Sequence, residues 1–307
     1  MRIVFMGTPD FAVPSLNALA AAGYTPIAVA TGPDKPRGRG RTLRPTPVKD
    51  AAQRLGIDTI LQPQSVRDPA FAEAIAALGA DLLVVVAFRI LPPAVYEAAR
   101  LGAFNLHGSL LPRYRGAAPI NRAVMAGETE TGVTTFFLQR KVDTGNIILK
   151  RKMPIGPNET ATEIHDRMMH LGAEAVVETV RRIDAGTAVA QPQDDTLATP
   201  APKVFREQAE IDWNQPAERV HNFIRGLAYY PAAWTTHDGT VLKVFRTEVV
   251  EGTGEAGEVL DATERLVVAC QSAAVSVLEA QQPGKRRLPI GDFLRGYALG
   301  PGARLGY

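Results

Sequence analysis

Leu82-Leu83-Val84-Val85-Val86-Ala87 is the stretch that decides the fold. Six apolar residues follow one another with no polar face between them. A strand of that kind is covered on both sides, as in a parallel sheet. Extended to Phe88 it is the longest apolar run of the chain, and it is far too short to span a bilayer, which takes about 20 residues. Upstream, Pro69 to Leu78 and Val48 to Leu55 read as helices, and Pro26 to Ala30 and Arg2 to Met6 read as strands. Phe11 to Ala22 reads as a helix with its apolar residues on one face. Strand and helix alternate, which predicts an α/β fold with a doubly wound, mostly parallel, Rossmann-type sheet whose ligands sit at the carboxyl ends of the strands. Gly7-Thr8-Pro9 ends the first strand without the glycine pattern of a dinucleotide site, and Pro9 and Phe11 stand where close pyrophosphate approach needs small residues. No Gly-Lys-Ser/Thr phosphate loop is present either. Nicotinamide chemistry and nucleoside triphosphate hydrolysis are therefore disfavoured.

Downstream lies Asn105-Leu106-His107-Gly108-Ser109-Leu110-Leu111-Pro112, and further on Val142-Asp143-Thr144-Gly145. On an extended strand, Asn105 and His107 project to the same face. Gly108 lets the backbone turn at once. Asn donates a neutral hydrogen bond, His donates or shuttles a proton, and Asp orients an imidazole. Such a set stabilises the oxyanion formed when a nucleophile attacks a carbonyl. An Asn-x-His pair on a strand equally reads as a satisfied polar pair, and spacing alone does not bring Asp143 to His107.

Thr160 to Ile183 reads as a long amphipathic helix, with Glu163 three residues after Thr160 as a capping box. His165 and His170 fall on it five apart, not the four of paired helical metal ligands, so a surface or packing role is expected. Residues 186–202 are polar and carry Pro192, Pro200 and Pro202, which reads as a linker. Beyond it come a helix from Ala217 to Gly226 and short strand candidates: Trp234-Thr235, Val241 to Phe245, Gly257 to Leu260, Leu266 to Cys270 and Ala274 to Leu278. Asp-Gly and Gly-rich turns separate them, a pattern that suits a small β-barrel.

Charge is concentrated. Lys35, Arg37, Arg39, Arg41, Arg44 and Lys49 stand against Asp34 alone, while the whole chain totals +2. Pro36, Gly38, Gly40, Pro45 and Pro47 keep this segment out of helix and central strand. It reads either as a solvated loop or as a finger for nucleic-acid phosphates and base edges. From Phe205 onward, eleven Lys/Arg meet thirteen Asp/Glu, so that half does not bind RNA by net charge. Lys203, Arg206, Lys285, Arg286 and Arg287 are candidates for a local basic patch there. The single cysteine, Cys270, rules out an internal disulfide and lies in an apolar run, as an inert buried thiol does. The N-terminus does not read as a signal peptide, because Asp10 and two prolines interrupt any apolar core. With 46% hydrophobic and 21% charged residues over 307, the chain is expected to be a cytoplasmic two-domain protein.

The motifs Asn105-x-His107-x-Ser109-Leu110-Leu111-Pro112, Tyr114-Arg115-Gly116-Ala117-Ala118-Pro119-Ile120, Gly132-Val133-Thr134 and Asp143-Thr144-Gly145 resemble those of the 10-formyltetrahydrofolate-dependent formyltransferases. The likeness extends over the whole chain. Phe5-Met6-Gly7-Thr8-Pro9-Asp10-Phe11-Ala12, the Arg-Gly-Arg-Gly loop, Ala201-Pro202-Lys203, Ile211-Asp212-Trp213 and Gln282-Pro283-Gly284-Lys285 point to the branch that acts on charged initiator tRNA. The resemblance implies a catalytic domain over 1–187, a linker over 188–204 and an oligonucleotide-binding-like β-barrel domain that binds tRNA over 205–307. It implies that 10-formyltetrahydrofolate is the co-substrate, with no metal, and that initiator methionyl-tRNA is the formyl acceptor. Asn105, His107 and Asp143 are then catalytic. Phe88, Arg89, Ile90, Leu91, Ser109, Leu110, Leu111 and Pro112 line the folate cleft. Arg37, Arg39, Arg41, Lys203, Lys285 and Arg286 contact tRNA, with Arg39 between its two glycines reaching the acceptor end. A monomer is expected, with no membrane partner. One departure stands out: Phe88 to Pro92 is a residue shorter than usual in the family, and Arg89 replaces a small residue beside the pterin pocket. The rival readings are a formyltransferase for a small amine, such as an amino sugar or glycinamide ribonucleotide, an inert tRNA-binding protein, and a formylfolate hydrolase.

Overall fold

A computed structural model describes residues 1–37 and 42–306. Arg39 and Arg41, with the glycines at 38 and 40, lie outside the described residues. In chain order the strands and helices begin with β1 (Ile3–Gly7), α1 (Val13–Ala21), β2 (Ala28–Ala30), β3 (Lys35–Arg37), β4 (Thr42–Arg44), α2 (Pro47–Arg54) and β5 (Ile60–Leu61). They continue with α3 (Pro69–Ala77), β6 (Leu82–Val86), α4 (Pro93–Tyr96), β7 (Ala103–His107), α5 (Pro119–Met125), β8 (Glu130–Phe137), β9 (Ile147–Pro154) and α6 (Ala161–Asp184). The remainder is α7 (Ala217–Leu227), β10 (Ala233–His237), β11 (Thr240–Val250), β12 (Val259–Ala262), β13 (Leu266–Ala269), β14 (Ala274–Gln281), β15 (Leu288–Pro289) and α8 (Ile290–Arg295).

Two compact units share the chain. One comprises Met1–Gly116, Gly132–Met153 and His165–Pro200; the other comprises Ala117–Thr131, Pro154–Ile164 and Ala201–Tyr307. Two segments from within the first 187 residues therefore group with the C-terminal part.

The first unit is built on a seven-stranded sheet in the order β5-β2-β1-β6-β7-β8-β9. From β5 to β7 all pairs are parallel, and β8 runs antiparallel to β7. All five residues of β6 are buried, as an apolar run between two covered faces requires. The chain winds outward from β1 through β2 to β5, then returns to β6 on the other side of β1. The carboxyl ends of β1 and β6 are thus the topological switch point, where such sheets bind ligands. Local chemistry fixes the helix starts. Thr46 and Asp68 cap α2 and α3 by accepting from Lys49 N and Ala70 N, and each is followed by a proline in the first turn. The helix expected from Phe11 begins later, because Asp10–Ala12 forms a 3-10 turn and Pro14 sits at the start of α1. In the basic segment, β3 pairs antiparallel with β4. The segment's root is tied by Lys49 Nζ, which donates to Asp34 Oδ2 at 2.7 Å and Gln62 Oε1 at 2.8 Å.

The second unit is an antiparallel sheet along the path β10-β11-β14-β13-β12, with β15 on β14. Asp238 and Gly239, both at positive φ, make the tight turn between β10 and β11. Beyond β12, Ala303 O accepts from Val259 N, Leu305 N donates to Gly257 O and Gly306 N donates to Thr236 O, each at 2.8 Å. The last residues thereby link the two ends of the curled sheet, which forms a half-barrel. Val220, Ile224 and Leu227 of α7 lie on one helical face and pack with Trp213, Leu242, Val268, Val275 and Val277 in the core. The Thr160–Glu163 capping box forms as expected, Thr160 N donating to Glu163 Oε2 at 2.8 Å and Glu163 N to Thr160 Oγ1 at 3.3 Å.

Candidate active site

Parallel pairing sets Asn105 level with Val85, and antiparallel pairing sets His107 opposite Thr134. Both side chains therefore emerge at the carboxyl end of β7, beside the switch point. A cavity of about 110 Å³ opens there. Phe88, Leu91, Tyr96, Phe136 and Leu138 give it apolar and aromatic walls, and Asn105, Arg89, Gln139, Arg140 and Asp143 give it polar groups. Among the described residues none hydrogen-bonds the half-buried Asn105 amide.

His107 is 5% exposed. Its Nε2–H donates to the Tyr114 carbonyl at 2.8 Å, and its ring meets Phe136 edge-on at 6.5 Å. That leaves Nδ1 facing Asp143 Oδ2 at 3.8 Å, close enough for an ion pair but too long for a hydrogen bond. The structure thus brings Asn105 and Asp143 to one cavity and His107 alongside, although Asp143 comes from a loop distant in sequence.

That loop is unusual. Asp143 has φ 55°, Tyr114 has φ 61° and Ala87, at the end of β6, has φ 47°. These are three of the six described non-glycine residues at positive φ, and strained backbone gathers where a site needs it. Gly116 N donates to Asp143 Oδ2 at 2.9 Å and so fixes the carboxylate. At Gly145 an added Cβ would sit 1.7 Å from Phe137 O, so only glycine allows the loop to lie this close to β8.

The folate candidates divide. Phe88 to Leu91 line the cavity. Ser109, Leu110, Leu111 and Pro112 do not: Ser109 and Leu111 are fully buried, and Ser109 Oγ is spent on Arg113 O at 2.6 Å. Thr134 explains why the Ser-Leu-Leu-Pro turn is rigid, for its hydroxyl donates to Ser109 O at 2.7 Å and accepts from Leu111 N at 3.1 Å. Arg89 turns its guanidinium aside, donating to Pro63 O at 2.7 Å and Gln64 O at 2.8 Å, while burial pushes its pKa down.

Sequence reading missed Gln193, Arg115 and Tyr114 as parts of this site. Residues 188–200, read as linker, are instead tied to the first unit: Gln191 and Ile147 exchange backbone hydrogen bonds at 2.7 and 2.9 Å. Among the tRNA candidates, Lys203 lies over the Phe205 ring at 5.2 Å. Lys285 and Arg286 are exposed, next to Arg287, which stacks on Tyr229 at 3.9 Å. Arg37 ends β3. Cys270 is 3% exposed, and burial pushes its thiol up to about 12. His165 faces Phe11 at 5.1 Å and bonds Asp166.

A doubly wound unit with Asn105 and His107 at the end of β7 and Asp143 on the loop facing them, followed by a curled antiparallel half-barrel, defines a class, and comparison with known proteins agrees. Residues 1–180 match the formyl transferase family and residues 203–298 its C-terminal domain. The chain belongs to the formyl transferase family. It is 52% identical over 314 residues to the methionyl-tRNA formyltransferase of Chlorobium phaeovibrioides, covering 100% of this chain and 98% of that one. The methionyl-tRNA formyltransferase of Chlorobium luteolum is 52% identical over 305 residues, 97% of each chain. An N-formyltransferase structure from Helicobacter canadensis, in complex with folinic acid and dTDP-3-aminofucose, shares the fold at TM-score 0.70 and 20% identity, over 92% of this chain and 99% of that one.

Proposed function

We propose that this chain transfers the formyl group of 10-formyltetrahydrofolate to the free amino group of initiator methionyl-tRNA, giving formylmethionyl-tRNA for translation initiation. The observation that carries this reading is end-to-end identity of about half to relatives bearing that activity's name, with Asn105 and Asp143 at one cavity and His107 beside Asp143. Aromatic walls at Phe88, Tyr96 and Phe136 fit a flat heteroaromatic ring, and the polar mouth fits its substituents.

The α-amino nitrogen forms a bond to the formyl carbon while the bond from that carbon to N10 of the folate breaks. The amine's surplus proton ends on N10. Asn105 presents its unengaged amide to the oxygen on which charge accumulates. His107 carries a proton on Nδ1, between that oxygen and the Asp143 carboxylate. Each such donor contributes about 3 kcal/mol to the barrier reduction. Asp143 orients the imidazole and holds a water that relays the proton.

Arg37, Arg39 and Arg41 of the basic segment contact tRNA, Arg39 at its acceptor end, and so do Lys203 of the linker and Lys285 and Arg286 of the C-terminal domain, bounded near 205–307. The family-model limits of 203–298 support that boundary. The protein acts as a monomer in the cytoplasm. Each chain holds its own Asn105, His107 and Asp143, and no described helix is long and apolar enough to cross a membrane.

Incubation with 10-formyltetrahydrofolate labelled in the formyl carbon and charged initiator tRNA tests the activity. Label is expected on the aminoacyl end. Label on a small amine or released as formate, with none on tRNA, overturns it. Light scattering and cell fractionation test the monomer and its compartment.

A further inference from the structure

Gln193 sits in a stretch without regular structure, and it is half-buried where both of its neighbours are exposed. Backbone pairing of Gln191 with Ile147 anchors the segment two residues before it. Its side chain uses every group it has. Nε2 donates to Asp143 O at 3.0 Å and to Gly145 O at 2.8 Å. Oε1 accepts from Arg115 Nε at 3.1 Å and Nη2 at 2.7 Å. Arg115 Nη2 also donates to Asp195 Oδ1 at 2.7 Å, and Arg115 N donates to Thr199 O at 2.9 Å.

Asp143 holds a left-handed backbone conformation, φ 55°, without being glycine. Such a conformation is strained and persists only where the surroundings fix it. Gly116 N fixes the carboxylate, but among the described residues only Gln193 donates to the carbonyls on either side of Thr144. We propose that Gln193 is a positioning residue for formyl transfer: its amide clamps the Asp143–Gly145 loop and so sets the Asp143 carboxylate against His107, with Arg115 holding the amide in the orientation that presents its NH2 to the loop. An amide is needed because one end must donate twice and the other must accept. The inference rests on the reading of Asn105, His107 and Asp143 as the reacting groups.

The test uses the full chain with 10-formyltetrahydrofolate and charged initiator tRNA. Gln193→Glu keeps the size and the acceptor facing Arg115 but turns a carboxylate oxygen toward two carbonyls. Gln193→Leu removes donor and acceptor together. Both are expected to lower kcat about tenfold to a hundredfold, the scale of a displacement of about 1 Å at a reacting group. KM for either substrate moves less than kcat, and the thermal midpoint of Gln193→Glu stays near that of the parent. On an Asp143→Asn background the same changes cost less than about twofold, because groups acting through one another are not additive. Parental kcat in both Gln193 variants, while Asp143→Asn is impaired, overturns the inference alone. So does a loss of equal size with and without Asp143→Asn. Parental kcat for Asp143→Asn overturns the reading of the site, and the clamp's role with it.

Discussion

His107 and His221 are almost equally withdrawn from solvent, 5% and 6% exposed, yet their surroundings differ in kind. His221, on α7 of the second unit, has both ring nitrogens engaged. The Thr247 hydroxyl lies 2.9 Å from Nδ1, and Nε2–H donates to Pro157 O at 3.0 Å. One turn further, the buried Arg225 donates to Gly156 O, Glu159 O and Asn222 Oδ1. That network is closed. His107 has one nitrogen on Tyr114 O and the other across a 3.8 Å gap from a carboxylate, beside an amide with no partner among the described residues. Buried polar groups are ordinarily satisfied. Burial of a histidine therefore says little about its role, and the open valence around it says much.

The comparison breaks if the two histidines exchange roles under substitution. His107→Ala is expected to lower kcat per folded molecule by about 10²–10³, as for loss of one oxyanion donor, beside a stability cost of about 1–3 kcal/mol because Tyr114 O loses its partner. His221→Ala is expected to cost about 1–3 kcal/mol of stability, because Pro157 O and Thr247 lose their partner in a buried place. Its kcat per folded molecule stays at the parental value. Steady-state kinetics beside urea unfolding of the same preparations reads both.

Gly145→Ala sharpens the point from the backbone. The new methyl meets a carbonyl oxygen of β8, which is not a side chain that can step aside. The loop must shift, carrying Asp143 with it. A fall in kcat of about tenfold to a hundredfold is expected, together with a loss of about 1–3 kcal/mol in stability from overpacking. Unaltered kcat in a folded variant would mean that the position of Asp143 is not critical.

These residues also show what the chain discloses before it folds. Asn105 and His107 are legible because a strand with period two puts them on one face, and β6 is legible because a continuous apolar run has few alternatives. The meeting of His107 with Asp143 is not legible, since it depends on β8 running antiparallel beside β7 and on a turn that only Gly145 permits. Gln193 is still less so. It stands in a polar, proline-rich run whose local pattern spells linker, and its value comes wholly from two carbonyls that the chain had laid down some fifty residues earlier. Ser109 and Leu111 mislead in the opposite sense: a motif adjoining the site was expected to line it, whereas the turn hides both inside. The strands of the second unit announce themselves through Asp238-Gly239 and the β-branched runs, but the link that residues 303–306 make between the ends of the sheet carries no pattern at all.

Arg225→Met tests the closed network from its other member. Methionine fills much the same volume, so the change isolates the guanidinium. Three acceptors in the 156–159 turn and on Asn222 lose their donor, and a cost of about 2–3 kcal/mol is expected, read as a lower urea midpoint. Activity measured at a temperature well below unfolding stays within about twofold of the parent, since the lost bonds reach no reacting group.

The smallest effect is one of pH, and it again separates the two histidines. Burial pushes the pKa of His221 down from its ordinary 6.5, and the neighbouring Arg225 cation adds to this, against the opposing pull of Pro157 O, Thr247 and Glu248. The unfolded chain takes up the His221 proton near 6.5, whereas the folded chain resists it to lower pH. Between those two values the unfolded state binds more protons, so stability rises with pH. The contribution is complete above 6.5 and is lost as pH falls below it. A single group contributes a slope of at most about 1.4 kcal/mol per pH unit. Other histidines and the carboxylates add their own slopes, so the informative quantity is a difference: unfolding free energy of the parent minus that of His221→Gln, measured from pH 8 to pH 5. It is expected to be flat above pH 6.5 and to shrink below it, because the variant has no proton to refuse. A difference that stays constant through the range would show that His221 takes up its proton as readily in the folded protein as in the unfolded chain, and that its two hydrogen bonds do not form the closed arrangement that sets it apart from His107.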